Sequence, residues 1–398
     1  MDFADRYGVI RVLVVDDSAL LRRLVSDVLG SADDVEVCGA AVDGLDAVEK
    51  VEALDPDVVV LDVEMPNLDG LGALSRIHES KPRLPVIMFS TLTERGATTT
   101  LKALSRGASD YVAKPTGTGS LAASKATVAE QLLPRVRALA GARKVVGSTA
   151  PAARPAPVPV AAAQGARPRV LVVACSTGGP EALSTVLRGL PPGFALPVVV
   201  AQHMPPVFTT QFAQRLDSIC PLTVTEAAEG DVVEPGRVLV APGDYHLRLS
   251  RSAGVVRATL DQGPKENFCR PAADPLIRSA VSVYGAGVVV LVLTGMGSDG
   301  REGCRSASLV GGRVVVQDEA SSVVWGMPGA VAQAGLAHEV LPLNAISARL
   351  ATLAAASGLR VNTNGHTNGA VTNGTANGTT TGLPRTAFGS DRVDVIRR

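Results

Sequence analysis

The stretch VLVVACSTGGP, residues 170–180, runs an apolar strand into two candidate nucleophiles, Cys175 and Ser176, followed by Thr177, two glycines and a proline. Gly178 and Gly179 permit a tight turn, and Pro180 suits the first turn of a helix. Backbone N–H groups at such a helix start can hold a developing oxyanion beside the Ser176 hydroxyl. Taken alone, the segment is equally a plain structural turn or a phosphate cradle. A serine hydroxyl needs a base, and the base needs an orienting acid. Five histidines are available. His78 falls on a helix, His338 in a polar turn and His366 in the tail. His203 ends the strand LPVVVAQHMPP, whereas His246 follows APGDYH in a hairpin region, so strand-end placement favours His203 as the base. For the acid, LVLTGMGSDG sets Asp299 just after an apolar strand in a glycine-rich loop, where it could also cap the next helix. Three strand-to-helix corners facing one rim make a convergent Ser176–His203–Asp299 triad the expected arrangement.

A second group of residues lies upstream. In VLVVDDS and VVVLDVEMP, Asp16 and Asp17 end a first strand and Asp62 a third; Ser90 ends a fourth, and Lys114 precedes Pro115 after a fifth. Each aspartate by itself could be a helix cap or a turn residue. Three carboxylates converging at the carboxyl edge of a parallel sheet repel one another and favour a divalent cation with oxygen ligands, such as Mg²⁺.

The elements that must position these residues follow from hydrophobic periodicity. From residue 10 to about 140, five short apolar runs alternate with helix-length amphipathic segments, as expected for a doubly wound α/β domain on a parallel sheet. From Arg169 a second alternation begins, interrupted by GRVLVAPGDYHLRLSRSAGVVRATL, which reads as antiparallel hairpins inserted in another α/β sheet. The expected fold is therefore α/β with two doubly wound, mostly parallel sheets. The expected boundaries are 1–143 and 169–357 for the two domains, a Pro/Ala-rich linker at 144–168 tending to polyproline II, and a low-complexity Asn/Thr/Gly tail at 358–398 expected to be disordered.

Composition narrows the function classes. Lys plus Arg and Asp plus Glu number 38 each in 398 residues, which gives no support for a nucleic-acid grip or an electrostatic membrane anchor. The opening residues MDFADRYGVI lack a basic start with a long apolar run, and no stretch approaches a bilayer span, so a cytoplasmic location without direct membrane insertion is expected. In that compartment the triplets at Asn373 and Asn377 would meet no glycosylation machinery. The five cysteines lie far apart and read as reduced thiols.

With these residues in place, positions 9–140 resemble a response-regulator receiver, a five-stranded flavodoxin-like domain. The resemblance implies that Asp62 accepts a phosphoryl group from a chemotaxis histidine kinase, with Asp16, Asp17 and the Glu64 backbone carbonyl around Mg²⁺. Ser90 and Lys114 would sense the phosphoryl group, and Tyr111 would be the aromatic that changes rotamer. Positions 169 to about 343 resemble the catalytic domain of the CheB-type protein-glutamate methylesterases, through CSTGGP, QHMPP, APGDYH, LTGMGSDG and QDEASSVVWGMP. That resemblance implies Ser176 as nucleophile, His203 as base and Asp299 as orienting acid. It adds Thr177 as support and the Met296 backbone as an oxyanion donor. The implied protein is a phosphorylation-activated hydrolase of glutamyl methyl esters on chemoreceptors that also deamidates receptor glutamines, with no cofactor in the ester reaction. Cys175 takes a packing role before the serine. One departure stands out: the family's Asn-His-Arg-Pro-Ser reads NFCRPAA here, with Cys269 and Ala272 in place of the histidine and serine. Two other readings compete. A switched adaptor without catalysis would not need the three triad residues, and a nucleotide-binding transferase would need a phosphate-loop lysine that CSTGGP lacks.

Overall fold

Strands such as VVVLD and VLVVAC are apolar on both faces, and in this computed structural model they lie in the middle of parallel sheets, wholly buried. The structure describes residues 8–115, 120–146 and 166–358. The first sheet contains β1 (Ile10–Val15), β2 (Val35–Ala41), β3 (Val58–Asp62), β4 (Val86–Ser90) and β5 (Asp110–Ala113), all parallel in the order β2-β1-β3-β4-β5. Between and after these strands come α1 (Ala19–Leu29), α2 (Gly44–Leu54), α3 (Gly70–Ser80), α4 (Glu94–Ser105) and α5 (Leu121–Val146). Asp43, Asp69 and Thr93 cap α2, α3 and α4, which fixes where each strand hands over to its helix.

The second sheet has seven parallel strands in the order β14-β13-β12-β6-β7-β9-β8. Its strands are β6 (Val170–Cys175), β7 (Val198–Gln202), β8 (Thr223–Glu226), β9 (Arg237–Val240), β12 (Val288–Val292), β13 (Arg313–Gln317) and β14 (Glu339–Leu341). The helices are α6 (Gly179–Arg188), α7 (Phe208–Ile219), α8 (Ala273–Tyr284), α9 (Arg301–Leu309), α10 (Met327–Gln333) and α11 (Leu343–Ala355). The expected hairpin insertion is a single antiparallel ribbon, β10 (His246–Ser252) with β11 (Val255–Asp261), in register from His246 opposite Asp261 to Ser252 opposite Val255, whereas the GRVLV run expected in the same insertion is β9, parallel to β7 and β8 in the main sheet.

The two sheets are not held apart. A single apolar cluster includes Leu61, Met88 and Leu101 from the first domain and Leu183, Phe208 and Phe212 from the second. Across the boundary the Tyr111 and Phe208 rings stack at 4.5 Å between centroids and 5° between planes, and the Thr98 hydroxyl donates to Gln211 Oε1 at 3.0 Å. Helix α5 runs to Val146, three residues into the stretch expected as linker; residues 147–165 and the tail beyond 358, including His366, Asn373 and Asn377, lie outside the described residues. Among the described residues no helix is long and apolar enough to cross a membrane.

Candidate active site

Strands β12, β6 and β7 are neighbours, and Asp299, Ser176 and His203 each follow the carboxyl end of one of them. The register brings Cys175 opposite Gln202, and the His203 N–H donates to the Cys175 carbonyl at 3.1 Å, so base and nucleophile share one corner of backbone. That corner is tight. Gly178 has φ of +73°, and a Cβ there would lie 2.6 Å from Val323; a Cβ on Gly295 would lie 2.9 Å from that of Ser176. The Ser176 carbonyl accepts from Gln202 Nε2 at 3.0 Å, while its N–H donates to Thr294 at 3.1 Å. Its hydroxyl makes no hydrogen bond among the described residues.

His203 is joined to Asp299 through Nε2, 2.7 Å from Oδ2. Asp299 is buried yet accepts four further hydrogen bonds: from Asn267 Nδ2 at 2.9 Å, from the N–H groups of Ala273 at 2.6 Å and Asp274 at 3.1 Å, and from Gly300 at 2.9 Å. Two of these donors are the first N–H groups of α8, whose N-cap position is Ala272, a side chain that cannot cap. The aspartate therefore does cap a helix, α8 rather than the following α9, and is charged for that reason as well. Burial would raise its carboxyl, but the His203 bond and these N–H donors outweigh it and hold it below the usual range.

The other imidazole nitrogen, Nδ1, faces Cys269 Sγ at 3.4 Å. Burial alone would depress His203; the negative charge available at Cys269 and Asp299 outweighs that and pushes it up to about 10. Cys175 lies fully buried, and burial drives its thiol upward, which fits packing. The remaining described histidines stand elsewhere: His246 Nε2 pairs with the Pro264 carbonyl, His338 Nδ1 accepts from Val314, and His78 Nε2 pairs with the Leu84 carbonyl.

Thr177 is buried beside Ser176, with its hydroxyl turned to the other domain, where it donates to Asp110 Oδ2 at 2.6 Å; Arg135 Nε donates to the same oxygen at 3.0 Å. Met296 follows the Gly295 corner, and its side chain packs against a cluster of first-domain residues and Val324. Its N–H meets no acceptor among the described residues.

In the first domain, ligand atoms of Asp16, Asp17 and Asp62 lie within 4.8 Å of one another. Lys114 Nζ sits 2.9 Å from Asp16 Oδ2 and 2.8 Å from Asp62 Oδ2, so one ammonium bridges the two buried carboxylates. Three clustered carboxylates offset by a single ammonium leave excess negative charge on hard oxygen donors, which fits Mg²⁺. Burial first, then the Asp16 charge, pushes Asp62 up to about 6 despite Lys114. Lys114 itself is raised, its two carboxylate partners overcoming burial. Ser18, rather than either aspartate of the pair, caps α1. Ser90 is buried with its hydroxyl on the Thr91 carbonyl, Tyr111 is buried against Phe208, and the Glu64 side chain points to Arg95 at 3.3 Å.

Sequence reasoning did not single out Asn267, the α8 N-terminus or Asp110 as partners of the site. Asn267 was legible only as a neighbour of the altered NFCRPAA motif; nothing local in the sequence links Asp110 to Thr177, 67 residues away.

Comparison with known proteins follows the same division. A CheB methylesterase family model matches residues 171–350, and a response regulator receiver domain model matches residues 12–125. A protein-glutamate methylesterase/protein-glutamine glutaminase of Nocardioides sp. is 52% identical over 342 residues, covering 84% of this chain and 92% of its own. One from Trichodesmium erythraeum is 44% identical over 342 residues, covering 85% and 97%. Among solved structures, the Thermotoga maritima CheB methylesterase catalytic domain is 43% identical with a TM-score of 0.46, covering 47% of this chain and 98% of that one. The response regulator domain of T. maritima CheB is 50% identical with a TM-score of 0.30, covering 32% and 94%.

Proposed function

Because the chain belongs to the family of protein-glutamate methylesterase/protein-glutamine glutaminases, we propose that it is a cytoplasmic, phosphorylation-activated serine hydrolase that removes methyl groups from glutamyl esters of chemoreceptors and deamidates receptor glutamines. The observation that carries the catalytic reading is the His203–Asp299 pair held at 2.7 Å at the sheet edge beside Ser176.

With Nε2 committed to Asp299, Nδ1 is the nitrogen left for Ser176. The weak sulfur contact at that nitrogen gives way as the hydroxyl turns in and gives up its proton. The serine oxygen attacks the ester carbonyl, the Met296 N–H would receive the oxyanion, and His203 returns the proton to departing methanol. Water, deprotonated by the same imidazole, then releases glutamate. A glutamine amide follows the same steps with ammonia leaving. Asp299 keeps its charge throughout, since five donors surround it.

Control is assigned to the first domain. Asp62 is its phosphoryl acceptor, a histidine kinase its donor, and Asp16, Asp17 and the Glu64 carbonyl join Asp62 in holding Mg²⁺, which when bound offsets charge on the phosphoryl oxygens. Lys114 and Ser90 would turn to the new phosphoryl group. Lys114 follows β5, and the same strand carries Asp110 on Thr177 and Tyr111 on Phe208. Pulling on β5 is thus a direct way to release the nucleophile corner.

The test is methanol release from methylated receptor by the full chain and by Ser176→Ala. A loss on the order of 10³-fold or more is expected; equal release from both would overturn the hydrolase reading in favour of a docking adaptor.

A further inference from the structure

Cys269 Sγ, His203 and Asp299 stand in series: 3.4 Å from sulfur to Nδ1, 2.7 Å from Nε2 to Oδ2. This is the order in which a base draws a proton from a thiol and an acid steadies the resulting imidazolium. The loop that carries the sulfur is open. Cys269 is half-buried, while Asn267 is exposed and Phe268 is 97% exposed, both at positive φ. The charged neighbours are themselves paired: Arg270 with Asp244, Arg278 with Glu266, and Asp274 with Asn267. None of them blocks the sulfur–imidazole contact.

The other four cysteines are placed differently. Cys175 and Cys304 are fully buried and Cys38 and Cys220 half-buried; burial raises all four thiols, Cys220 to about 11. A thiol so raised is a poor nucleophile. One sulfur in five therefore has both a base and access.

We propose that the Cys269–His203–Asp299 array is a thiol-modification site that takes hydroperoxides, and that oxidation at Cys269 withdraws His203 from the hydrolase reaction. The second half rests on the methylesterase reading; the first does not. In the modifying step the Cys269 proton passes to Nδ1 and the sulfur attacks one peroxide oxygen. An S–O bond forms, the O–O bond breaks, and the leaving hydroxide takes the proton from the imidazolium as water. Cys269 ends as a sulfenic acid, oxidised by two electrons, and the peroxide is reduced to water. The added oxygen reaches past the sulfur toward Nδ1, where it makes a stronger hydrogen bond than sulfur does and holds the nitrogen that Ser176 requires. A dithiol returns the sulfenic acid to thiol with loss of water and closure of the dithiol to a disulfide.

The test uses the full chain. It is treated with less than one equivalent of hydrogen peroxide, sulfenic acid is trapped with dimedone, and the label is located by mass spectrometry while methanol release from methylated receptor is followed. Label at Cys269 should exceed that at each other cysteine by about 10-fold or more. Release should fall in step and return with dithiothreitol. Whatever rate Cys269→Ser has, peroxide should not lower it. His203→Gln should cut the label at Cys269, and because the comparison among five thiols is made in the wild type, it stands even if that variant does not fold. Label at Cys269 no greater than at Cys38 overturns the site. Strong label with undiminished methanol release overturns the control of His203. Absence of Ser176-dependent release before any peroxide would refute the hydrolase reading instead, leaving the labelling pattern to judge the thiol.

Discussion

Two acidic centres sit at the carboxyl ends of parallel strands in this chain, and they treat charge in opposite ways. In the first domain, two further carboxylates gather around Asp62 with a single lysine bridging Asp16 and Asp62, and Asp62 is pushed up to about 6. In the second, one carboxylate takes five donors and is held down. The first carries more negative charge than its one lysine offsets, the setting that favours a hard cation; the second is a finished site that holds a fixed negative charge against an imidazole. A shared topology sets where carboxylates collect, and the count of N–H donors decides what they can do.

The comparison is broken most severely by Asp299→Asn. An amide keeps the shape but loses the charge, and turnover should fall about 10⁴-fold in a methanol-release assay. If it falls by less than tenfold, the fixed charge is not what the second centre supplies. The next test concerns His203. Its pKa is raised above 6.5 to about 10, so the imidazolium adds stability that is complete below pH 6.5 and lost as pH rises through about 10. The base needed for turnover appears over that same interval, so kcat/KM should climb from pH 6.5 towards 10. Cys269→Ala, which removes one of the negative partners, should move that limb to lower pH; a limb that stays in place would separate the sulfur from the base.

Asp62→Asn probes the first centre. The variant should lose the kinase-dependent rise in turnover, of about tenfold for a docking bias near 1.4 kcal/mol, and with it the Mg²⁺-dependent phosphoryl incorporation measured with labelled donor. The smallest effect is expected at the boundary. Asp110→Ala removes the acceptor for the Thr177 hydroxyl and should raise unphosphorylated turnover a few-fold, roughly the worth of one hydrogen bond. A fall would show that Asp110 supports the nucleophile corner rather than restraining it.

Much of this was legible from local pattern. Runs such as VVVLD and VLVVAC announce central parallel strands because both faces are apolar, and strand ends are where Asp62, Ser176, His203 and Asp299 stand. Proline after His203 and glycine after Ser176 mark the corners. Less was legible about what the residues touch. Cys269 could be seen as an altered position but not as the neighbour of Nδ1; Ala272 could be seen to replace a serine, but not that Asp299 would take over the helix end it leaves uncapped.

The sequence by itself determined two α/β sheets, the order of their strands along the chain and the set of polar residues at strand ends, because alternation and turn chemistry act over a few residues. Only the tertiary structure decided that β12, β6 and β7 lie side by side, that Thr177 is held by Asp110 and that a sulfur occupies the imidazole's second nitrogen. Those contacts join residues 27 to 118 positions apart, from Val172 beside Val199 to Val172 beside Val290, and they are set by how helices and sheets close on one another, a choice that no short window of sequence encodes.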